Sequence, residues 1–239
     1  MTPVGDMVKS FAARHAMVSY AHPEQMEVAA EICQSVVLDN GAFSAWRAEK
    51  EYDFAGFAMW AEKWVRHPAV DWCIIPDVIG GTEQKNDDLL LLWSLPDHLS
   101  VPVFHMHESL SRLAMLVERY PRVALGSSGD FATVGTKKWW HRMHEMMTVA
   151  CDAKGVPKTK LHGLRMLNPG VFSKLPLASA DSCNVARNIG YDSRWTGSYL
   201  PASKATKALI LMERIERHAS AALWTSDMID EYHNDVLLG

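Results

Sequence analysis

Short runs of Val, Leu, Ile and Phe alternate along this chain with longer segments whose apolar residues recur at helical spacing, and this alternation is the strongest constraint on its fold. The runs lie at 16–23, 36–46, 71–78, 101–107, 122–129, 160–167 and 176–182, with a weaker eighth around 193–200. Strands buried on both faces read as continuous apolar stretches, and parallel strands need a crossover, usually a helix, between them. The intervening segments fit: 54–67 and 110–120 carry apolar residues at three- and four-residue steps, Ser109 stands where an N-cap is expected, and Pro121 marks a stop. Seven or eight such units without a linker or a break in composition predict an α/β fold of the (β/α)8 TIM-barrel type, formed as a single domain over residues 1–239.

Composition narrows the class. Hydrophobic residues make up 48% and charged residues 22%, enough to fill a core and too little polarity for a disordered chain. The longest apolar run, Leu89 to Trp93, is far short of the ~20 residues that span a bilayer, and the N-terminus lacks the apolar centre of a signal peptide, so the expected location is the cytoplasm, without membrane association. Cys33, Cys73, Cys151 and Cys183 are scattered, with no C-x-x-C pair, which predicts reduced thiols and no structural zinc. The net charge is −4, yet residues 137–207 hold twelve basic against four acidic side chains, a local +8. Such a stretch is either a set of solvated helix faces or a surface for a polyanion.

Three of the runs end on an acid: Asp39, Asp77 and Asp181. Functional groups of barrel enzymes sit at the C-terminal ends of the strands, so these three, with His105, Gly126 and His162, are expected around one mouth. An Asp after a strand also caps helices and builds turns, which is the structural alternative for each. In D-N-G-A-F, Asp39 and Asn40 precede a turn glycine, and Phe43 is either a core residue or an aromatic face for a planar ligand. In I-I-P-D-V-I-G-G, Asp77 follows a stiffening Pro76 and suits a carboxylate that accepts two hydrogen bonds from an amidine-like edge. His105 and His107 in F-H-M-H could contribute to a metal site with Asp77 or His162, the basis of a metal-dependent hydrolase reading; His105 as a hydrogen-bonding pocket residue is the alternative. The turn A-L-G-S-S-G offers backbone N–H groups at Gly126 and Ser127, Gly163 lets a flat group approach the chain, and small residues flank Asp181. Trp139, Trp140 and Trp195 are either core residues or stacking surfaces for bases.

The ordered set D-N-G-A-F, I-P-D, V-P-V-F-H, A-L-G-S-S-G, L-H-G and S-A-D-S-C-N-V-A-R-N, over about residues 36–190, resembles the tRNA-guanine transglycosylase superfamily. The closer resemblance is to its small phage-type members, which insert 7-deazaguanine bases into DNA. The resemblance implies a base exchange in which Asp181 attacks the anomeric carbon of a guanosine, Asp39 moves the proton and Asp77 reads the base, with Asn40, Phe43, His105, Gly126, Ser127, His162 and Gly163 lining the pocket. It implies no cofactor and no metal. The partners it implies are a free 7-deazaguanine base and a nucleic acid, DNA favoured over tRNA, with the phosphates met by Lys137, Lys138, Arg165, Arg187 and Arg194, and with room for a homo-oligomer or a helper subunit. For a phage-encoded chain the location would be the host cytoplasm. The sequence departs from the family by lacking the cysteine-rich zinc subdomain, by Ala42 in place of a second glycine and by His105 in place of a glutamine. A catalytically silent nucleic-acid-binding subunit is the competing reading from a different class.

Overall fold

Strand β1 (His15–Ser19) pairs in parallel with β2 (Ser35–Asp39), which pairs with β3 (Val70–Ile74), and β3 pairs with β4 (Ser100–Val101). A second parallel sheet runs β5 (Val103–His105), β6 (Arg122–Gly126), β7 (Lys160–Gly163) and β8 (Ser179–Ala180). This computed structural model describes residues 4–182 and 199–225. Cys183, Arg187, Arg194, Trp195 and all but the last two residues of the expected eighth strand lie outside the described residues.

The two sheets meet in one extended run. Only Pro102 separates β4 from β5, because proline has no N–H to give to a ladder; its carbonyl still accepts from Ala124 N at 2.9 Å, while Val101 O accepts from Ile75 N at 2.9 Å. β3 therefore lies on one side of the run 100–105 and β6 on the other.

Helix α1 (Val4–Phe11) precedes β1 and α9 (Lys204–Glu216) follows β8, while α2 (Met26–Ile32), α3 (Ala42–Arg47), α4 (Phe54–Trp64), α5 (Glu83–Leu92), α6 (Leu110–Arg119), α7 (Lys137–Ala150) and α8 (Pro169–Phe172) lie between strands. Their starts are chemically marked. Asp53, Thr82, Ser109 and Thr136 cap α4, α5, α6 and α7 by accepting from Gly56, Lys85, Arg112 and Trp139 backbone amides, each cap satisfying a first-turn N–H that has no helical partner. Helix α3 corrects the expectation of a strand over 36–46: Gly41 takes φ +76°, and Asp39 Oδ2 and Asn40 Oδ1 accept from Gly41 N and Ala42 N, so the strand ends at Asp39 and a helix begins. A Cβ at Gly41 would lie 3.0 Å from Ala21 N, so the turn requires glycine twice over.

Apolar packing covers both faces of the strands. Phe57 and Ala61 of α4 and Met26 and Ala29 of α2 bury against Val36, Leu38 and Cys73, while α6 and α7 place Leu113, Leu116, Trp139, Trp140 and Met143 in the core that also holds Phe104, Val123, Leu125 and Leu161. On the other face Trp72, Ile74, Val101, Val103 and Ala124 form a third cluster, with Met17, Val37 and Leu164 against it. That inner cluster draws on every strand from β1 to β6. Its geometry requires strong curvature. In a flat sheet β3 and β7, three strand spacings apart, would stand about 14 Å from each other. Instead the Trp72 ring meets the His162 ring edge-on at 5.0 Å, and the Arg122 guanidinium lies 4.9 Å over Trp72. Among the described residues no helix is long and apolar enough to cross a membrane.

Candidate active site

The strand ends carry the acids to one side of this curved sheet. Asp39 ends β2, Asp77 follows β3 by three residues, and Asp181 follows β8 directly. The Asp39 carboxyl is pushed up to about 6, first by burial and then by the negative charges of Asp181 and Asp77; hydrogen bonds from the Ser19 hydroxyl and the Gly41 amide oppose the rise without cancelling it. Asp39 thus shares one electrostatic environment with both other acids, although in a flat sheet the ends of β2 and β8 would stand far apart.

Asp77 is buried and held from two sides. Its Oδ1 accepts from Asn40 Nδ2 at 2.7 Å, and its Oδ2 lies 2.8 Å from His105 Nε2. Asn40 is fully used within the protein: Nδ2 also donates to Ile75 O at 2.9 Å, Oδ1 accepts from Ala42 N at 2.8 Å, and its carbonyl accepts from the Tyr52 hydroxyl at 3.0 Å. Its place in the site is to aim Asp77. Burial first, and then Asp77 and Asp39, push the Tyr52 hydroxyl up, so this phenol stays a neutral donor.

Behind His105 stands a buried polar network that the sequence did not single out. Glu108 Oε2 accepts from His105 N at 2.8 Å and from Arg112 Nη1 at 2.7 Å, while its Oε1 accepts from Asn86 Nδ2 at 2.8 Å. Arg112 also donates to Val103 O and to Asp87 Oδ1, and Asn86 Oδ1 accepts from Val78 N. The one signal in the sequence was the Glu108/Arg112 spacing of four.

The remaining predicted residues fall into place unevenly. His107 is engaged through both ring nitrogens, with Ser128 Oγ at 2.8 Å and Gly81 O at 3.0 Å, and among the described residues no group of three His, Cys, Asp or Glu side chains could hold a metal ion. Gly126 leaves room beside His105: a Cβ there would lie 3.4 Å from Nδ1. Ser127 accepts from Trp139 Nε1 at 2.9 Å through its hydroxyl and from Arg165 Nη2 at 3.0 Å through its carbonyl. Trp139 and Trp140 are buried, which decides between their two readings in favour of the core. Gly163 is not open to a flat ligand on its Cα side: a Cβ would meet Leu177 Cδ1 at 2.8 Å and Met166 Cβ at 2.9 Å, so its smallness serves packing.

Asp181 Oδ1 accepts from Arg165 N at 2.9 Å and lies 3.5 Å from His162 Nε2. Arg165 reaches that position in the left-handed region, φ +59°, and its guanidinium lies 4.7 Å over the Phe43 ring. Phe43, itself half-buried, tilts against the exposed Trp46 and lies outside the core clusters. Of the proposed phosphate contacts, Lys137 is exposed at the start of α7, whereas Lys138 is already paired with Asp130 at 2.6 Å, and the Arg165 guanidinium is engaged with Ser127 O and the Phe43 ring.

No family model matches this chain, and no curated protein matches it either. A solved structure from Aquifex aeolicus VF5 aligns over 94% of this chain and 100% of its own, with a TM-score of 0.41 and 9% identity.

Proposed function

We propose that this chain is a base-exchange transglycosylase that replaces guanine in nucleic acid, DNA favoured over tRNA, with a 7-deazaguanine derivative through a covalent ester on Asp181. The observation that carries the reading is the convergence of the three strand-end acids: Asn40, next to Asp39, donates to Asp77, Arg165 lies over Phe43 and gives its amide to Asp181, and burial with both other charges pushes the Asp39 carboxyl up to about 6. Two carboxyl groups in unlike surroundings, one poised to move a proton and one to attack, are what substitution at a glycosidic carbon requires.

Asp181 bonds to the anomeric carbon, the bond from that carbon to the guanine nitrogen breaks, and Asp39 supplies the proton the leaving base takes up. In the return step the incoming base gives its N–H proton to Asp39 and attacks the same carbon, and the electron pair of the ester bond goes back to Asp181. Two displacements retain the sugar's configuration. Asp77 reads the base edge: Asn40 and His105 each occupy one lone-pair site of its two oxygens, and the sites left accept a pair of N–H groups from guanine. Arg165 and the Phe43–Trp46 edge form the rim toward the sugar-phosphate chain, and exposed Lys137 at the start of α7 is a further cation for phosphates. A duplex target would have to flip its base outward. The curved parallel sheet closes, on this reading, as a (β/α)8 barrel with the acids at its C-terminal mouth.

Incubation with labelled guanine and either DNA or tRNA reads the polymer that takes up label, DNA being expected. Asp181→Asn abolishes covalent trapping of a guanine-containing oligonucleotide and leaves its binding intact; undiminished exchange by that variant would sink the mechanism, and a silent binding subunit would be indifferent to it.

A further inference from the structure

His162 is 2% exposed, and its Nε2 has no hydrogen-bond partner among the described residues, although it points across 3.5 Å at Asp181 Oδ1. A buried ring nitrogen left unpaired costs free energy, so its direction calls for a physical account. The ring is fixed on its other sides. Trp72 packs on it edge-on at 5.0 Å, and Nδ1 lies 2.9 Å from Ser179 Oγ. Ser179 Oγ also accepts from Arg122 Nη1 at 3.2 Å. A guanidinium only donates, so the serine hydroxyl's own proton is free for His162 Nδ1. With that proton available to Nδ1 and the Asp181 carboxylate facing Nε2, the favoured tautomer has Nδ1 accepting and Nε2 carrying the hydrogen toward Asp181. The opposite tautomer would turn a lone pair on a carboxylate.

Resting on the nucleophilic role proposed for Asp181, we propose that His162 is its positioning residue, which together with the Arg165 amide holds Oδ1 and leaves Oδ2 as the attacking oxygen. Both donors converge on Oδ1, the Arg165 amide at 2.9 Å and His162 Nε2 at 3.5 Å. When Oδ2 bonds to the sugar, Oδ1 becomes the ester carbonyl oxygen and keeps both donors. When the incoming base displaces the ester, the electron pair returns to a carboxylate that the Arg165 amide binds and His162 Nε2 faces, so both assist departure as well as attack.

Two measurements on the full chain test this. Long-range 1H–15N spectra should show His162 with Nδ1 unprotonated and Nε2 protonated, and the Nε2 signal should move in Asp181→Asn; the opposite tautomer, or a signal indifferent to that change, overturns the contact. Rapid-quench trapping of the oligonucleotide adduct should be about 10- to 100-fold slower in His162→Phe, which keeps a ring against Trp72, at unchanged oligonucleotide affinity, and His162→Gln should recover part of the rate. An active wild type with His162→Phe equally fast overturns the positioning role alone. A wild type that forms no adduct while the tautomer is present overturns the nucleophile and leaves the contact standing.

Discussion

Asp39 is where a single residue's surroundings make a measurable claim. Its carboxyl is raised to about 6 from the 3.8 of an unperturbed aspartate, by burial and then by Asp181 and Asp77. The folded chain therefore binds this proton more tightly than the unfolded chain does. The stabilisation is fully present below about pH 4 and is lost as pH rises through about 6. Asp39→Asn removes a charge that the fold disfavours, so the variant should gain stability over wild type between pH 4 and 6 and keep the gain above, on the order of 2 kcal/mol. Urea midpoints of the two proteins across that range check it; a constant difference would mean that Asp39 does not titrate there. Base exchange should collapse in the same variant, because the amide can neither give nor take the proton.

Helix α6 and the turn before it set the strand end that carries His105. Arg112 and Glu108 are both buried, and Glu108 holds the His105 amide, so the pair fixes the start of the helix to the end of β5. Arg112→Met should leave the Glu108 charge uncompensated and cost about 3–5 kcal/mol in denaturant unfolding. The double variant Glu108→Gln with Arg112→Met should recover part of that loss, and no recovery would show that packing and not charge carries the cost. This element also shows why part of the site stayed hidden in the sequence. Ser109 as a cap was legible because capping is local. Glu108 and Asn86 looked like ordinary polar residues near helix starts, and they become interior groups only because β3, β5, α5 and α6 converge on them.

At the scale of the molecule, the alternation of apolar runs and helical segments was enough to read a parallel α/β chain and the strand ends on which Asp39, Asp77 and Asp181 stand. Parallel strands buried on both faces announce themselves as apolar runs. What the alternation does not encode is which side chains meet inside the bend: Trp72 reaching His162 and Arg122 stacking above it. Gly163 shows the same limit, since its neighbours Leu177 and Met166 could not be known from L-H-G. Trp72 fills the inside of the bend, so Trp72→Ala should cost about 3–5 kcal/mol by opening a cavity there. Because His162 leans on that ring, the variant should also lose base exchange more steeply than its remaining folded fraction explains, with near-ultraviolet circular dichroism giving the fraction folded. Activity that tracks the folded fraction would separate the bend from the site.

Arg165 meets Asp181 through its main-chain amide, in a left-handed turn, while its guanidinium is occupied elsewhere with Ser127 and Phe43. Any residue type except proline can supply that N–H. The grip on Asp181 is thus inherited through the path of the chain and not through the identity of a side chain, and position 165 can change its chemistry within the residues that tolerate a left-handed turn while Asp181 stays held.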